Sequence, residues 1–260
     1  MANWKPKPMT KNDDIYSFNN TIPFTGTYNL TNKELDESFE FAYKMAYDEL
    51  HRNHRSGGTH QRRNTEIFVD ALQGKLSEFF TQKVFIEAGI NVSEVDINLY
   101  DRGEWDSEDL SAFTSKGKET KITIKSTKHF GNLMLLETKD WDKEACYIPS
   151  GELGMYGVFV LVRVKFELES ILKSKRLYFS DDIDKESLRE IFKSVTSNNQ
   201  LKFDIPGILY RNDIKKILSE KQIIKKGNKL NSTVMDADNY YVQSGNMRPI
   251  NELLTILNNN

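Results

Sequence analysis

The chain has 260 residues, with 36 lysines and arginines against 38 aspartates and glutamates, a formal net charge of −2, and 38% hydrophobic against 28% charged residues. That length suits one large domain or a core with an appendage. No run of eighteen apolar residues marks a membrane span and MANWKPKPMTKNDD lacks the apolar centre of a signal peptide, so the expected place is the cytoplasm.

In chain order, residues 1–30, rich in Asn, Thr and Pro, read as an irregular arm, and Thr31 or Asn32 caps a helix running to about Arg52. Residues 51–63, HRNHRSGGTHQRR, hold four arginines, three histidines and no acid around Gly57-Gly58, a basic loop between two helices. Residues 65–88 place Ile67, Phe68, Leu72, Leu76, Phe79 and Phe80 at helical spacing, one buried stripe with Glu78 at its wet edge. Strands are expected at 94–100, 109–114, 119–127 and 132–138, and a central strand at 157–166 with its apolar VFVLVRV. A helix at 185–195 opens the C-terminal third. Residues 212–230 set Ile214, Ile217, Leu218 and Ile223 on an apolar face and Lys215, Lys216, Lys221, Lys225, Lys226 and Lys229 toward solvent. Tyr240, Tyr241 and Arg248 follow in 236–250.

The most informative stretch is 105–128, WDSEDLSAFTSKGKETKITIKSTK. Lys116-Gly117-Lys118 is a polar turn between two strands, and on the return strand Ile122 and Ile124 share one face while Thr123 and Lys125 share the other. The hairpin brings Asp109 back toward Lys125 although 16 positions (125 − 109) separate them. Lysines at strand ends also serve to deter edge pairing, so the pattern alone fits an ordinary hairpin.

A helix GKLSE, a strand, the Asp109 hairpin and ITIKST, in that order, resemble the PD-(D/E)XK nuclease superfamily and, within it, the type II restriction endonucleases, over about residues 65–165. The resemblance implies an α/β fold with a mixed central sheet flanked by helices, a restriction-endonuclease-like core with a C-terminal specificity region. Its parts would be 1–64 (arm, helix, basic loop), 65–170 (nuclease core) and 171–260 (DNA recognition), in one compact unit. In that family the helix donates a glutamate, the first strand an aspartate, and the next strand an acid, any residue and a lysine. Glu78, Asp109 and Lys125 match, whereas the acid's position holds Thr123. Thr123 acting through a water, Glu137 swung in from 132–138, and Asp106 or Glu108 assisting Asp109 are the alternatives, with Asp109 preferred because it leads into the apolar strand.

The resemblance further implies Mg²⁺ held by Asp109, Glu78 and the Ile124 carbonyl, with Glu137 in reserve, while Lys125 orients the attacking water. Zinc is not expected, because Cys146 is single and the four histidines lack ligand spacing. The partner it implies is double-stranded DNA, met by a homodimer in which the arm and the first helix are candidate contacts; no membrane and no nucleotide cofactor are expected. The net charge argues against nucleic acid, but Arg52, Arg55, Arg62 and Arg63 in the basic loop, with Lys128, Lys215, Lys216, Lys225, Lys226, Lys229 and Arg248, are candidate DNA contacts. A catalytically idle DNA-binding module and a repair- or phage-type nuclease acting on DNA structure or RNA remain alternatives.

Overall fold

The structure, a computed structural model, describes residues 4–27, 30–48, 62–99, 108–197 and 200–259. In chain order the elements are β1 (Thr10–Asn12), β2 (Ile15–Ser17), α1 (Asn32–Tyr47), α2 (Asn64–Glu87), β3 (Asn91–Val92), β4 (Leu110–Phe113), β5 (Glu119–Lys128) and β6 (Leu133–Glu137). They continue with β7 (Val158–Lys165), α3 (Leu168–Ser174), α4 (Lys185–Thr196), β8 (Lys202–Tyr210), α5 (Arg211–Ser219), β9 (Ile223–Ile224), β10 (Lys229–Leu230), β11 (Thr233–Val234), β12 (Asn239–Gln243) and α6 (Ile250–Asn259).

The central sheet has the strand order β3-β4-β5-β7-β8. β3, β4 and β5 form an antiparallel meander, β5 and β7 run parallel, and β8 returns antiparallel to β7. A parallel step needs a long connection, here the segment 129–157 that carries β6. β7 is apolar throughout most of its length because both its faces are covered. Val158, Val160, Val162 and Val164 join Ile122 and Ile124 of β5 in a core with Phe68, Leu72, Leu76 and Phe80 of α2, while Phe159 and Leu161 join a second core on the other face. That second core is closed by Met134 and Leu136 of β6, Val242 of β12 and Ile214, Ile217 and Leu218 of α5. The protein is thus α/β, with mixed sheets flanked by helices.

α1 begins with a full capping box: Thr31 Oγ1 accepts from Glu34 N at 3.3 Å and Glu34 Oε2 accepts from Thr31 N at 2.5 Å. It lies along α2, with Phe39 and Phe68 in edge contact at 5.3 Å. α2, α4 and the apolar face of α5 fall where periodicity put them.

Two expectations, the strand at 94–100 and the irregular arm, are corrected. No strand forms at 94–99: β3 ends at Val92, and the Asp96 carboxylate accepts from Asn98 N at 2.8 Å, a local turn that withdraws this backbone from a ladder. β6, close to the strand expected at 132–138, stands outside the central sheet and pairs with β12 in a separate sheet of order β6-β12-β9. The N-terminal arm is not irregular: β1 and β2 make a hairpin in a sheet of order β1-β2-β10-β11, so the arm is built into the C-terminal third of its own chain. No helix among the described residues is long and apolar enough to cross a membrane.

Candidate functional site

β4 starts at Leu110, and its register, Leu110 against Ile122, continued by one step sets Asp109 against Thr123. Asp109 N donates to Ile122 O at 3.1 Å. The Asp109 Oδ2 then accepts from Thr123 Oγ1 at 3.0 Å and from Ile124 N at 2.5 Å. The carboxylate, rather than a carbonyl of β4, therefore satisfies the backbone of β5 at the point where the ladder with β4 stops.

Ile122 and Ile124 point into the α2 core, so Thr123 and Lys125 point to the opposite face. Lys125 is diagonal to Asp109 in the ladder, an offset of about 7–8 Å between backbone positions. Thr123 is buried and Lys125 half-buried. The Lys125 Nζ stands 5.9 Å from the ring centroid of Tyr147. Tyr147 packs on Trp141 at 5.1 Å, and Trp141 packs on Phe159 at 5.4 Å, the β7 residue opposite Thr123. Asp109, Thr123, Lys125 and Tyr147 are what the fold brings together. Tyr147 escapes a reading of the sequence because it lies in an irregular segment, just before the two 3₁₀ turns of Ile148–Gly154, where no periodicity assigns a face.

The other expected acids are held elsewhere. Glu78 Oε2 accepts from Lys75 Nζ at 2.6 Å. Lys75 is only 4% exposed, also donates to Asp96 O at 2.6 Å, and lies 4.3 Å from the Phe41 ring centroid. The helix that carries the pair packs against the face that Thr123 and Lys125 turn away from. Glu137, at the end of β6, pairs with Lys139 at 2.8 Å, and this bond raises the lysine above its ordinary pKa. Glu108 pairs with Lys121 at 2.9 Å and lies 3.0 Å from Ser111 Oγ, which is also 2.5 Å from Glu119; the hydroxyl's one proton serves one carboxylate at a time. Ile124 contributes its N–H to Asp109 and buries its side chain under α2. Asp106 lies outside the described residues. Among the described residues, no group of three or more His, Cys, Asp and Glu is placed to hold a metal ion.

Of the candidate DNA contacts, Arg52 and Arg55 lie outside the described residues. Arg62 pairs with Asp70 at 3.1 Å and Arg63 with Asp181 at 2.6 Å. Lys128 pairs with Glu169 at 2.7 Å, Lys215 with Glu144 at 2.6 Å and Lys225 with Asp238 at 2.8 Å. Lys216 donates to Trp4 O at 2.8 Å and is half-buried, not solvent-facing. Lys229 gives its backbone N–H to Asp14 O, and Lys226 is exposed. Arg248 is corrected outright: it is 8% exposed, grips Asp213 through Nε at 2.7 Å and Nη2 at 3.0 Å, and is therefore a structural clamp rather than a reader of bases. Gln243 and Tyr241, in the segment expected to offer polar side chains to DNA, are buried too.

Compared with protein-family models, with curated proteins and with solved structures, the chain matches none.

Proposed function

We propose that the chain is a Mg²⁺-dependent endonuclease of the PD-(D/E)XK type, hydrolysing phosphodiester bonds of double-stranded DNA as type II restriction enzymes do. The observation that carries this reading is the convergence of Asp109, Thr123 and Lys125, from two adjacent strands, at one end of the β4–β5 hairpin. Helix, aspartate strand and lysine strand also follow one another in the order that the resemblance requires.

Mg²⁺ binds through one or two carboxylates and completes its shell with water and substrate phosphates. Asp109 supplies one carboxylate, and among the described residues its Oδ1 receives no hydrogen bond, so the donor set fits an ion shared with a phosphate rather than caged by protein alone. When bound, such an ion lowers the pKa of a water and neutralises nonbridging oxygens. The chain's own part is then positional. Lys125 presents an ammonium with three N–H donors, a point charge suited to a nonbridging oxygen and to the attacking water. Thr123 holds the Asp109 carboxylate in one rotamer through its hydroxyl.

A second reading has its own support. Glu78 and Glu137 are each paired with a lysine and the third acid is a threonine, the pattern expected of a DNA-binding module that has lost its chemistry. Incubating supercoiled plasmid with the protein in Mg²⁺ and in EDTA separates the two. Linear product in Mg²⁺ alone supports the nuclease, whereas plasmid bound but intact in both supports the idle module.

A further inference from the structure

We infer that Tyr147 is a positioning residue for Lys125, holding the ammonium over its ring face so that it is aimed at the phosphate; this rests on the nuclease reading of the Lys125 site. A lysine side chain loses rotamer freedom when its ammonium is held in one place, so a lysine that must meet a phosphate there needs something to restrain it. Carboxylates restrain Lys75, Lys121, Lys139, Lys173, Lys215 and Lys225, but among the described residues none pairs with Lys125. What stands next to its Nζ is the Tyr147 ring, 5.9 Å away. An aromatic face attracts an ammonium without occupying its N–H donors or cancelling its charge. A carboxylate would do both and would compete with the phosphate.

Tyr147 is itself fixed. Its ring rests on Trp141, bridged to it as an antiparallel pair, and Trp141 rests on Phe159, so an aromatic column rises from the strand beside the site. Its backbone closes the following loop: Tyr147 N donates to Gly154 O at 2.9 Å, and Ser150 N donates to Tyr147 O at 3.1 Å. A Cβ on Gly154 would lie 2.2 Å from Tyr147 O, so the loop closes this tightly only around glycine.

The test measures kcat and KM on a duplex substrate with saturating Mg²⁺ for wild type, Tyr147→Phe, Tyr147→Leu, Lys125→Ala and the Lys125→Ala/Tyr147→Leu double variant. The expected result is that Tyr147→Leu lowers kcat about tenfold with KM held within about twofold, that Tyr147→Phe stays within about twofold of wild type, and that the leucine costs nothing further once Lys125 is gone. An independent readout needs no activity: the Lys125 ε-methylene protons should show a ring-current upfield shift in the NMR spectrum that the phenylalanine keeps and the leucine abolishes. Wild-type kcat in Tyr147→Leu, equal losses in the phenylalanine and leucine variants, a change in KM alone, or an absent ring-current shift each overturns the inference while leaving the nuclease reading intact. No cleavage by the wild-type protein overturns the nuclease reading, and the role of Tyr147 with it.

Discussion

At the scale of single residues, Asp109 does two things that substitutions can separate. Its Oδ2 satisfies Thr123 Oγ1 and Ile124 N, a structural duty that a neutral acceptor can perform, whereas holding Mg²⁺ requires the charge. Asp109→Asn should therefore lose about a thousandfold or more in cleavage rate with little change in Tm, while Asp109→Ala should lose rate and stability together, because it leaves Ile124 N without its acceptor. Cleavage by Asp109→Asn at near wild-type rate would reduce Asp109 to a cap on β5. Lys125→Ala should match the asparagine variant in rate and in stability. The missing acid is tested beside it: Thr123→Ala removes only a hydroxyl that steers Asp109 and should cost about tenfold, near 1.4 kcal/mol, while Thr123→Glu should tighten the Mg²⁺ dependence of cleavage. Glu137→Ala discriminates further. It should leave cleavage unchanged if the pair with Lys139 persists during the reaction, and abolish it if the carboxylate leaves that lysine to join the metal. A Mg²⁺ titration of the three variants decides the matter, and identical metal dependence in all three removes Thr123 and Glu137 from the site.

At the scale of elements, what is legible in the sequence is whatever one helix or one strand decides by itself. The stripe of α2, the Thr31 cap of α1 and the two faces of β5 follow from local spacing. The sheet to which a strand belongs is not local, which is why spacing predicts β6 as a strand without naming its sheet: the chosen partner, β12, lies far along the chain. Tyr147 is hidden for the same reason, since an aromatic in a loop acquires meaning only from the lysine that folding brings to it. The tie between the end of β5 and α3 is likewise tertiary, and it makes a pH prediction. Burial alone would push the Glu169 carboxyl up, but hydrogen bonds from Lys128 and Lys173 outweigh that and hold it below its ordinary 4.5. A depressed folded value stabilises the fold above the unfolded value, and this contribution is lost as pH falls through the lower folded one. Glu169→Gln should accordingly lower Tm at neutral pH and flatten its decline between about pH 5 and pH 3. Parallel Tm-against-pH curves for the variant and wild type would show that the ion pair contributes nothing.

At the scale of the whole molecule, charge and connectivity each yield a test. With a net charge of −2, DNA binding must rest on local basic groups, and Arg62 and Arg63 are the described part of the basic loop. Both are paired in the structure, so phosphate must displace Asp70 and Asp181. Replacing the two arginines with alanine should weaken binding to any duplex and reduce the log-log salt slope by about 0.9 for each phosphate that is no longer neutralised, and an unchanged slope would return them to a structural role. Connectivity rests on Arg163, which interrupts the apolar run of β7 yet is only 1% exposed. It grips Asp204 of β8 through Nε at 2.8 Å and Nη2 at 2.6 Å, and donates to the carbonyls of Ile22 and Pro23 and to Asn132 Oδ1, while Thr25 N donates to Oδ2 of the same carboxylate. One guanidinium thus sews the arm, the segment before β6 and two central strands into a single body. Removing one partner of such a pair leaves the other charge buried, so Arg163→Ala should cost about 3–5 kcal/mol in urea unfolding and render the arm sensitive to protease. Replacing both, as Arg163→Met with Asp204→Leu, removes the orphaned charge and should cost less than Arg163→Ala alone, though the carbonyls of Ile22 and Pro23 still lose their donor. If the double variant is the less stable of the two, Asp204 matters on its own account, because both variants lose the arginine's bonds to the arm and only the double variant also takes from Thr25 N its acceptor.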